Sequence, residues 1–560
     1  MRNSIFVVLS AALISAASGV ASAQNLDPTV VVDRAYEGKL MEVHKPVLEM
    51  AVPDTVMRFD LDFDYSVFAN PYKGSYEFNP YLLSMKPSAS GDMHRKFYFR
   101  AGAGYQLHPE LDLVWSPNLG GKGFGMDVYA RNRSFVGNYH DLSVPESTGE
   151  WKGYDAESSA GVRMTYDWKK GTLDFGAGYN GLLVGEEVRK RSYNAMDAYM
   201  HLASKDYSTA VDYRLDAKYR LAGDCVTGLG NMPSLTEHAA DVDAAVTFQT
   251  RGSVVAVGIG ADYVAYQGLF HADAGQFHIT PHYLYSRGPL ALKAGVKVAV
   301  ILGGNGLGGQ YVSDSKEQYL YPDVTLELAI IRKALKFRLD AVGGNVIDTY
   351  SSLLGRNHHL WAGSAWPEKP LLDFTVERVN LSAGFEGRIL SGFSYRLYAG
   401  YVNYANALLD YVAVDEGTSL RTAGVAYAPY SKCLLGAEAM WKSERLMVDF
   451  AMNYTSAWGD CFSSAIPYLL PAAFTGDLAV EYNWKRRVYA GIDCSFSTAR
   501  SGAMYTVPFY ADLGLYAEYF MNRRFSVWAR GGNLLGMTVQ RNPLYAEKGA
   551  YFTLGVCLNL

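Results

Sequence analysis
Four groups of residues in this 560-residue chain have the types and spacing that chemistry would need. Asp60-x-Asp62-x-Asp64 opens like a calcium loop, in which alternate carboxylates converge on one ion. Tyr65 stands where the sharp turn needs glycine, and Pro71 where the bidentate glutamate belongs, so the loop fails as a calcium site. Gly304-x-Gly306-x-x-Gly309 has the spacing of a dinucleotide fingerprint, but no helical periodicity follows it, and it reads as a flexible loop. His358-His359, close to Trp361 and Trp366, is a candidate surface contact for a metal or ligand; a solvated pair in a loop is the alternative. Cys225 and Cys461 can pair only if the fold brings their backbones within about 7 Å. No Ser-His-Asp spacing stands out. The sequence therefore predicts no enzyme, no metal site and no cofactor.

What remains is a pair of faces that strands must position. Long stretches alternate with a period of two, the signature of β-structure. From Val211 to Leu221, Val211, Tyr213, Leu215, Ala217, Tyr219 and Leu221 alternate with Asp212, Arg214, Asp216, Lys218 and Arg220. Arg163 and Arg338 fall on the charged face of their own stretches. Aromatics gather on the apolar face beside short turns: Trp168, Phe248, Tyr285, Phe393, Trp441, Trp484, Tyr519 and Phe525. Rings that are apolar with a polar edge suit a membrane–water boundary, so these predict an aromatic girdle. The charged face would line a solvated pathway or pair with a plug.

The turns beside those aromatics are short and basic, as in Lys169-Lys170-Gly171 and Lys485-Arg486-Arg487. Meeting anionic headgroup phosphates and plain turn chemistry are two readings of that charge. The opposite connections are long: 135–155, 222–237, 303–317, 348–375, 406–431, 458–473 and 536–548. Short turns at one end and long loops at the other are the asymmetry of outer-membrane barrels. The pattern predicts an all-β, antiparallel transmembrane barrel of about 22 strands (about 20 to 24) over residues 97–560. The region 406–431 is a candidate for an extra hairpin. A soluble propeller also alternates, but it has no reason to keep aromatics in register beside one set of turns. A final strand that stays apolar on one face to Leu560 also favours the barrel.

Residues 1–23 read as a secretory signal peptide, with Arg2, an apolar stretch from Ile5 to Ile14 and Ala21-Ser22-Ala23 as the cleavage site. Residues 24–96 would form a periplasmic or plug-like segment. Lys+Arg is 51 and Asp+Glu 56, a net charge of −5, which carries no footprint for nucleic acid.

Gly531-Gly532-Asn533-Leu534-Leu535, then Gln540-Arg541-Asn542-Pro543-Leu544-Tyr545, Gly549 and the closing strand resemble the C-terminal pattern of the TonB-dependent receptors of Bacteroidota. Pro53-Asp54-Thr55 and the tyrosine-rich approach to Phe97 resemble a short, receptor-like subgroup whose plug domain is reduced. The resemblance implies a barrel in the cell outer membrane that takes up a solute, energised from the inner membrane. Thr29, Val30, Val31 and Val32 then resemble a TonB box, whose extended backbone would pair with a strand of TonB. Outer-membrane lipid is the other expected partner, with a surface lipoprotein or another envelope protein as a further candidate. A scaffold in an envelope assembly complex is the alternative function, and a passive porin the third.

Overall fold
The computed structural model describes residues 96–560, apart from 118–122, 144–148, 187–188, 206–210, 229–232, 251–252, 303–317, 333, 361–372, 390–391, 415–420 and 464–467. The signal peptide, the TonB-box-like residues and the Asp60–Asp64 stretch therefore lie outside the described residues, as do Gly304–Gly309, Trp361 and Trp366.

Alternating residues put one side chain out and the next in, and a sheet built that way can turn a different face to each solvent. The strands run β1 (Phe97–Tyr105), β2 (Glu110–Trp115), β3 (Phe124–His140), β4 (Glu150–Trp168), β5 (Gly171–Gly185), β6 (Lys190–Ser204), β7 (Val211–Thr227) and β8 (Leu235–Thr250). Next come β9 (Ser253–Gly268), β10 (Ala272–Arg287), β11 (Leu290–Leu302), β12 (Gln318–Ile331), β13 (Leu335–Ile347), β14 (Phe374–Ile389), β15 (Phe393–Val414), β16 (Arg421–Lys442) and β17 (Leu446–Trp458). The chain ends with β18 (Phe474–Trp484), β19 (Val488–Ser497), β20 (Arg500–Ser501), β21 (Thr506–Val507), β22 (Tyr510–Phe520), β23 (Phe525–Gly532) and β24 (Tyr551–Asn559). Twenty-two of these form one antiparallel sheet, while β20 and β21 pair only with each other. The sheet closes where β1 meets β24, from Tyr98 opposite Asn559 to Tyr105 opposite Phe552. Closure leaves no strand edge, which a lipid environment demands because it offers no hydrogen bonds.

The strand count agrees with the expectation, but several strands run farther than the alternation indicates. β3 and β4 reach His140 and Glu150, into the expected loop 135–155. β7 continues to Thr227. The region 406–431 is not an extra hairpin. Its described residues, 406–414 and 421–431, are the upper halves of β15 and β16, which pair from Phe393–Trp441 up to Val414–Arg421 through one irregularity between Tyr404 and Ala407. Alternation fails there because both faces are covered: Val402, Tyr404, Ala405, Asn406, Ala407, Leu409 and Asp410 are all buried. A strand buried on both sides has no polar face to mark it.

Candidate functional site
The outside of the lower barrel is apolar and exposed, as at Leu478 and Tyr482 on β18, Ile492 on β19 and Leu515 on β22. Trp168, Phe248, Tyr285, Trp441, Trp484 and Tyr519 sit among the last strand residues before a short turn, and Phe393 and Phe525 are the first strand residues after one. Phe248, Trp441, Trp484 and Tyr519 are 45–53% exposed, while Trp168 and Tyr285 are half-buried. Trp484 faces Val488, which faces Tyr519, so three adjacent strands carry one rung of the belt. Trp441 likewise faces Phe393. Lys485 and Arg486 have φ of 53° and 57°. Turns of that hand favour Asn-Gly, so basic residues there are chosen against conformation, which weighs toward headgroup contact. A closed sheet with this belt is a transmembrane barrel of the outer-membrane type.

The charged residues of the inner face mostly satisfy one another within the wall. On β7, Arg220 binds Asp197 of β6 at 2.5 Å, and Arg214 binds Asp216, which also meets His201. Asp212 accepts from Gln249 at 2.5 Å and Ser204 at 3.2 Å. Arg338 bridges Asp340 at 2.7 Å and Glu327 at 3.3 Å. Arg163 approaches Asp174 only to 3.9 Å, and Lys218 is exposed on the same face as Asp216 and Arg220.

The upper half of the lumen is different. The β13–β14 connection turns inward and carries a short helix, α1 (Tyr350–Arg356). Thr349 caps it, accepting from the Ser352 amide at 3.2 Å. Leu353 and Leu354 are buried, and together with Leu360 they pack among Val264, Ile301, Phe374 and Val376. Burying each leucine stabilises the loop by about 1.5–3 kcal/mol.

Polar contacts then fix this loop to strands far from its own. Ser351 donates its amide to Glu237 of β8 at 3.1 Å, and its hydroxyl meets the same carboxylate and, at 2.6 Å, the Tyr193 hydroxyl. The Tyr350 amide donates to the Tyr266 hydroxyl at 2.8 Å, and the Tyr350 hydroxyl donates to Asp224 of β7 at 2.6 Å. Arg191 of β6 donates to the carbonyls of His358 and Leu360 and sits 3.3 Å from Asp224. His358 meets Asp155 of β4 at 2.9 Å, and His359 meets Glu186 at 3.0 Å. On the near side Arg356 binds Asp410 of β15 at 2.9 Å. β4 is nine strands from β13 along the ladder of 22, so this loop crosses the lumen. We call residues 348–360 the cross-lumen bolt.

The histidine pair thus has a role other than either expectation. Each ring faces a carboxylate of the far wall, and the His359 side chain is only 10% exposed. Among the described residues no group of three or more His, Cys, Asp and Glu could hold a metal. Burial alone would lower the His358 pKa, but the charge and hydrogen bond of Asp155 outweigh it and hold the ring above its ordinary value. At the root of the bolt, burial pushes the Asp348 carboxyl up to about 6, against the opposing bond from Thr375. Cys225 is exposed and Cys461 buried, and the two are not joined.

The last connection also folds in. Tyr545 stacks on His359 with centroids 4.2 Å apart and bridges to Asp141. Lys548 donates to His108 at 2.8 Å, and His108 is fully buried. Burial, with Lys548 and Arg530 nearby, lowers the pKa of His108 to about 3, so its ring is neutral and accepts that bond. The motif that carried the resemblance therefore ends against the bolt. Sequence reasoning missed the bolt itself. The available signal was Thr349 ahead of an apolar Leu353-Leu354 pair in a connection too long to be a turn.

No protein-family model matches the sequence, and no curated protein does. Solved structures do. The chain is similar to the copper transporter OprC, with a TM-score of 0.61 and 10% identity over 85% of this chain and 82% of that one. It is similar to the siderophore receptor PiuA from Acinetobacter baumannii, with a TM-score of 0.60 and 11% identity over 85% and 82%. It is also similar to the FrpB iron transporter from Neisseria meningitidis, with a TM-score of 0.60 and 10% identity over 84% and 82%. At such identities the likeness is one of fold.

Proposed function
We propose that this barrel is a gated transporter of the TonB-dependent-receptor type, taking up a solute across the outer membrane. The bolt carries the reading. A 22-stranded barrel is wide enough to leak, and buried polar bonds hold a loop of this one across to distant strands, which supports a lumen that is closed and opened. The bolt closes the outer half. Residues 24–96, the reduced plug, regulate the inner half, and Thr29–Val32 couple them to TonB. The self-paired charges of the inner wall line the solvated passage between. Transporters and receptors among the similar folds support this reading. The short, plug-reduced group within that receptor class is where the chain fits best.

A closed lumen also suits a scaffold of an envelope complex, which would need neither TonB nor release of the bolt. Co-purification from detergent-extracted membranes separates the two. The gated transporter retains TonB and loses it when Thr29–Val32 are deleted. Absence of TonB from both preparations, with an envelope protein retained by both, would favour the scaffold.

A further inference from the structure
Three neighbouring short turns carry a run of positive charge. Lys442 and Arg445 flank the turn from β16 to β17, Lys485, Arg486 and Arg487 form the turn from β18 to β19, and Arg523 and Arg524 belong to the turn from β22 to β23. All seven are exposed. The turns are joined edge to edge: the Asn483 amide donates to the Arg445 carbonyl at 2.7 Å, and the Phe520 amide to the Arg487 carbonyl at 2.8 Å. Turns two strands apart are separated by about 10 Å. That is close to a Debye length, so their charges act together.

None of these cationic side chains is needed to close its turn. Ser443, Asn483 and Asn522 do that, accepting from the amides of Leu446 at 3.0 Å, Arg486 at 2.7 Å and Arg524 at 2.8 Å. Among the described residues none of the seven makes a side-chain hydrogen bond or an ion pair; Lys485 lies over the Trp484 ring, 5.7 Å from its centre. Glu444 is the one carboxylate on the three turns, and Glu481, on the luminal face of β18, is within electrostatic reach of Lys442. Set against both, seven cations still leave five in excess. Elsewhere on the rim Lys205, just after β6, is taken up by Asp167 at 2.7 Å.

On the lipid side of the same strand ends stand the exposed rings of Trp441, Trp484 and Tyr519. An occupant that satisfies both features has anionic oxygens at the turns and an apolar body along the rings. We propose that this crescent is a binding site for an anionic phospholipid of the periplasmic leaflet, its phosphate held by the turn cations and its acyl chains lying against the three rings. General headgroup contact would not distinguish one lipid from another. Five unmatched cations side by side select net negative charge, and the barrel keeps such a lipid when it is extracted. The site needs only the transmembrane barrel and is independent of the transport reading.

Native mass spectrometry of the full chain in detergent, titrated with phosphatidylglycerol and with phosphatidylcholine of the same acyl chains, tests the site. Phosphatidylglycerol should bind saturably, about tenfold more tightly or better. Each cation beside an anionic surface contributes about fivefold, so Lys485→Asn with Arg486→Asn should weaken that binding by about 25-fold and leave phosphatidylcholine unaffected. Both positions have left-handed backbone, at φ of 53° and 57°, which asparagine tolerates, so the turn should survive. Retained heat-modifiability on gels shows that a variant still forms the barrel. Lys169→Gln with Lys170→Gln, on a basic turn elsewhere on the rim, should leave the binding nearly unchanged. A wild type with no preference for phosphatidylglycerol, or equal losses in the two double variants, overturns the site. Poly-glutamate that binds more tightly than the lipid overturns it in favour of an acidic protein partner.

Discussion

The lower and upper halves of this barrel are stabilised in opposite ways. In the lower half the strands have one greasy face and one charged or small-residue face, the charges pair mostly with neighbouring strands, and lipid covers the rest. In the upper half the strands outrun the membrane. β15 and β16 are each 22 residues long, and a tilted crossing needs about 9–11, so about half of each projects beyond the hydrocarbon. There the inner face is buried by the chain's own loops, and polar groups bond across the lumen instead of along the wall. The lower half resists change because each contact is local. The upper half depends on a few long-range bonds, so it is the part that can open.

The largest effect should come from Arg191→Ala. It removes two bonds to bolt carbonyls and leaves the buried Asp224 without its cation, a loss of about 3–5 kcal/mol. The bolt should become sensitive to protease while the barrel still resists heat in detergent; a barrel that unfolds with the bolt would break the contrast between the halves. The matching change below is Leu478→Arg on the lipid face, which should cost about 2–4 kcal/mol of barrel stability in bilayer refolding and leave the bolt protected.

Rising pH should loosen the bolt. His358 and Asp348 both have raised pKa values, so the stability they lend is full below their unfolded values and lost as pH rises through the folded ones. For Asp348 that window runs from 3.8 to about 6, and for His358 it begins at 6.5 and extends above. Protease cutting of the bolt should therefore quicken as pH rises from 3.8 to about 6 and again above 6.5, and His358→Gln should flatten the upper part of that rise. A profile that slows as pH rises over that range would contradict the assignment. The smallest effect is expected for Trp484→Ala, about 1 kcal/mol from one girdle ring in refolding titrations, with no change at the bolt.

The same contrast explains what could be read from the residues alone. Lower strands such as Val211–Leu221 and Phe474–Trp484 alternate because two solvents select on two faces, so their number and facing were legible. Above the membrane that selection ends. Asn406, Asp410 and Glu237 are polar yet buried, and the partners of their side chains lie 29 to 114 residues away, beyond any local pattern. His358-His359 was visible as a pair, but its meaning depends on Asp155 and Glu186, which only the closed ladder brings near.

Conductance in planar bilayers tests the central claim most directly. The wild-type chain should pass no steady current, and Arg191→Ala should open it to a large, fluctuating one. A wild-type barrel that conducts steadily, or an Arg191→Ala barrel that stays as closed as its parent, would contradict a lumen held shut by the bolt.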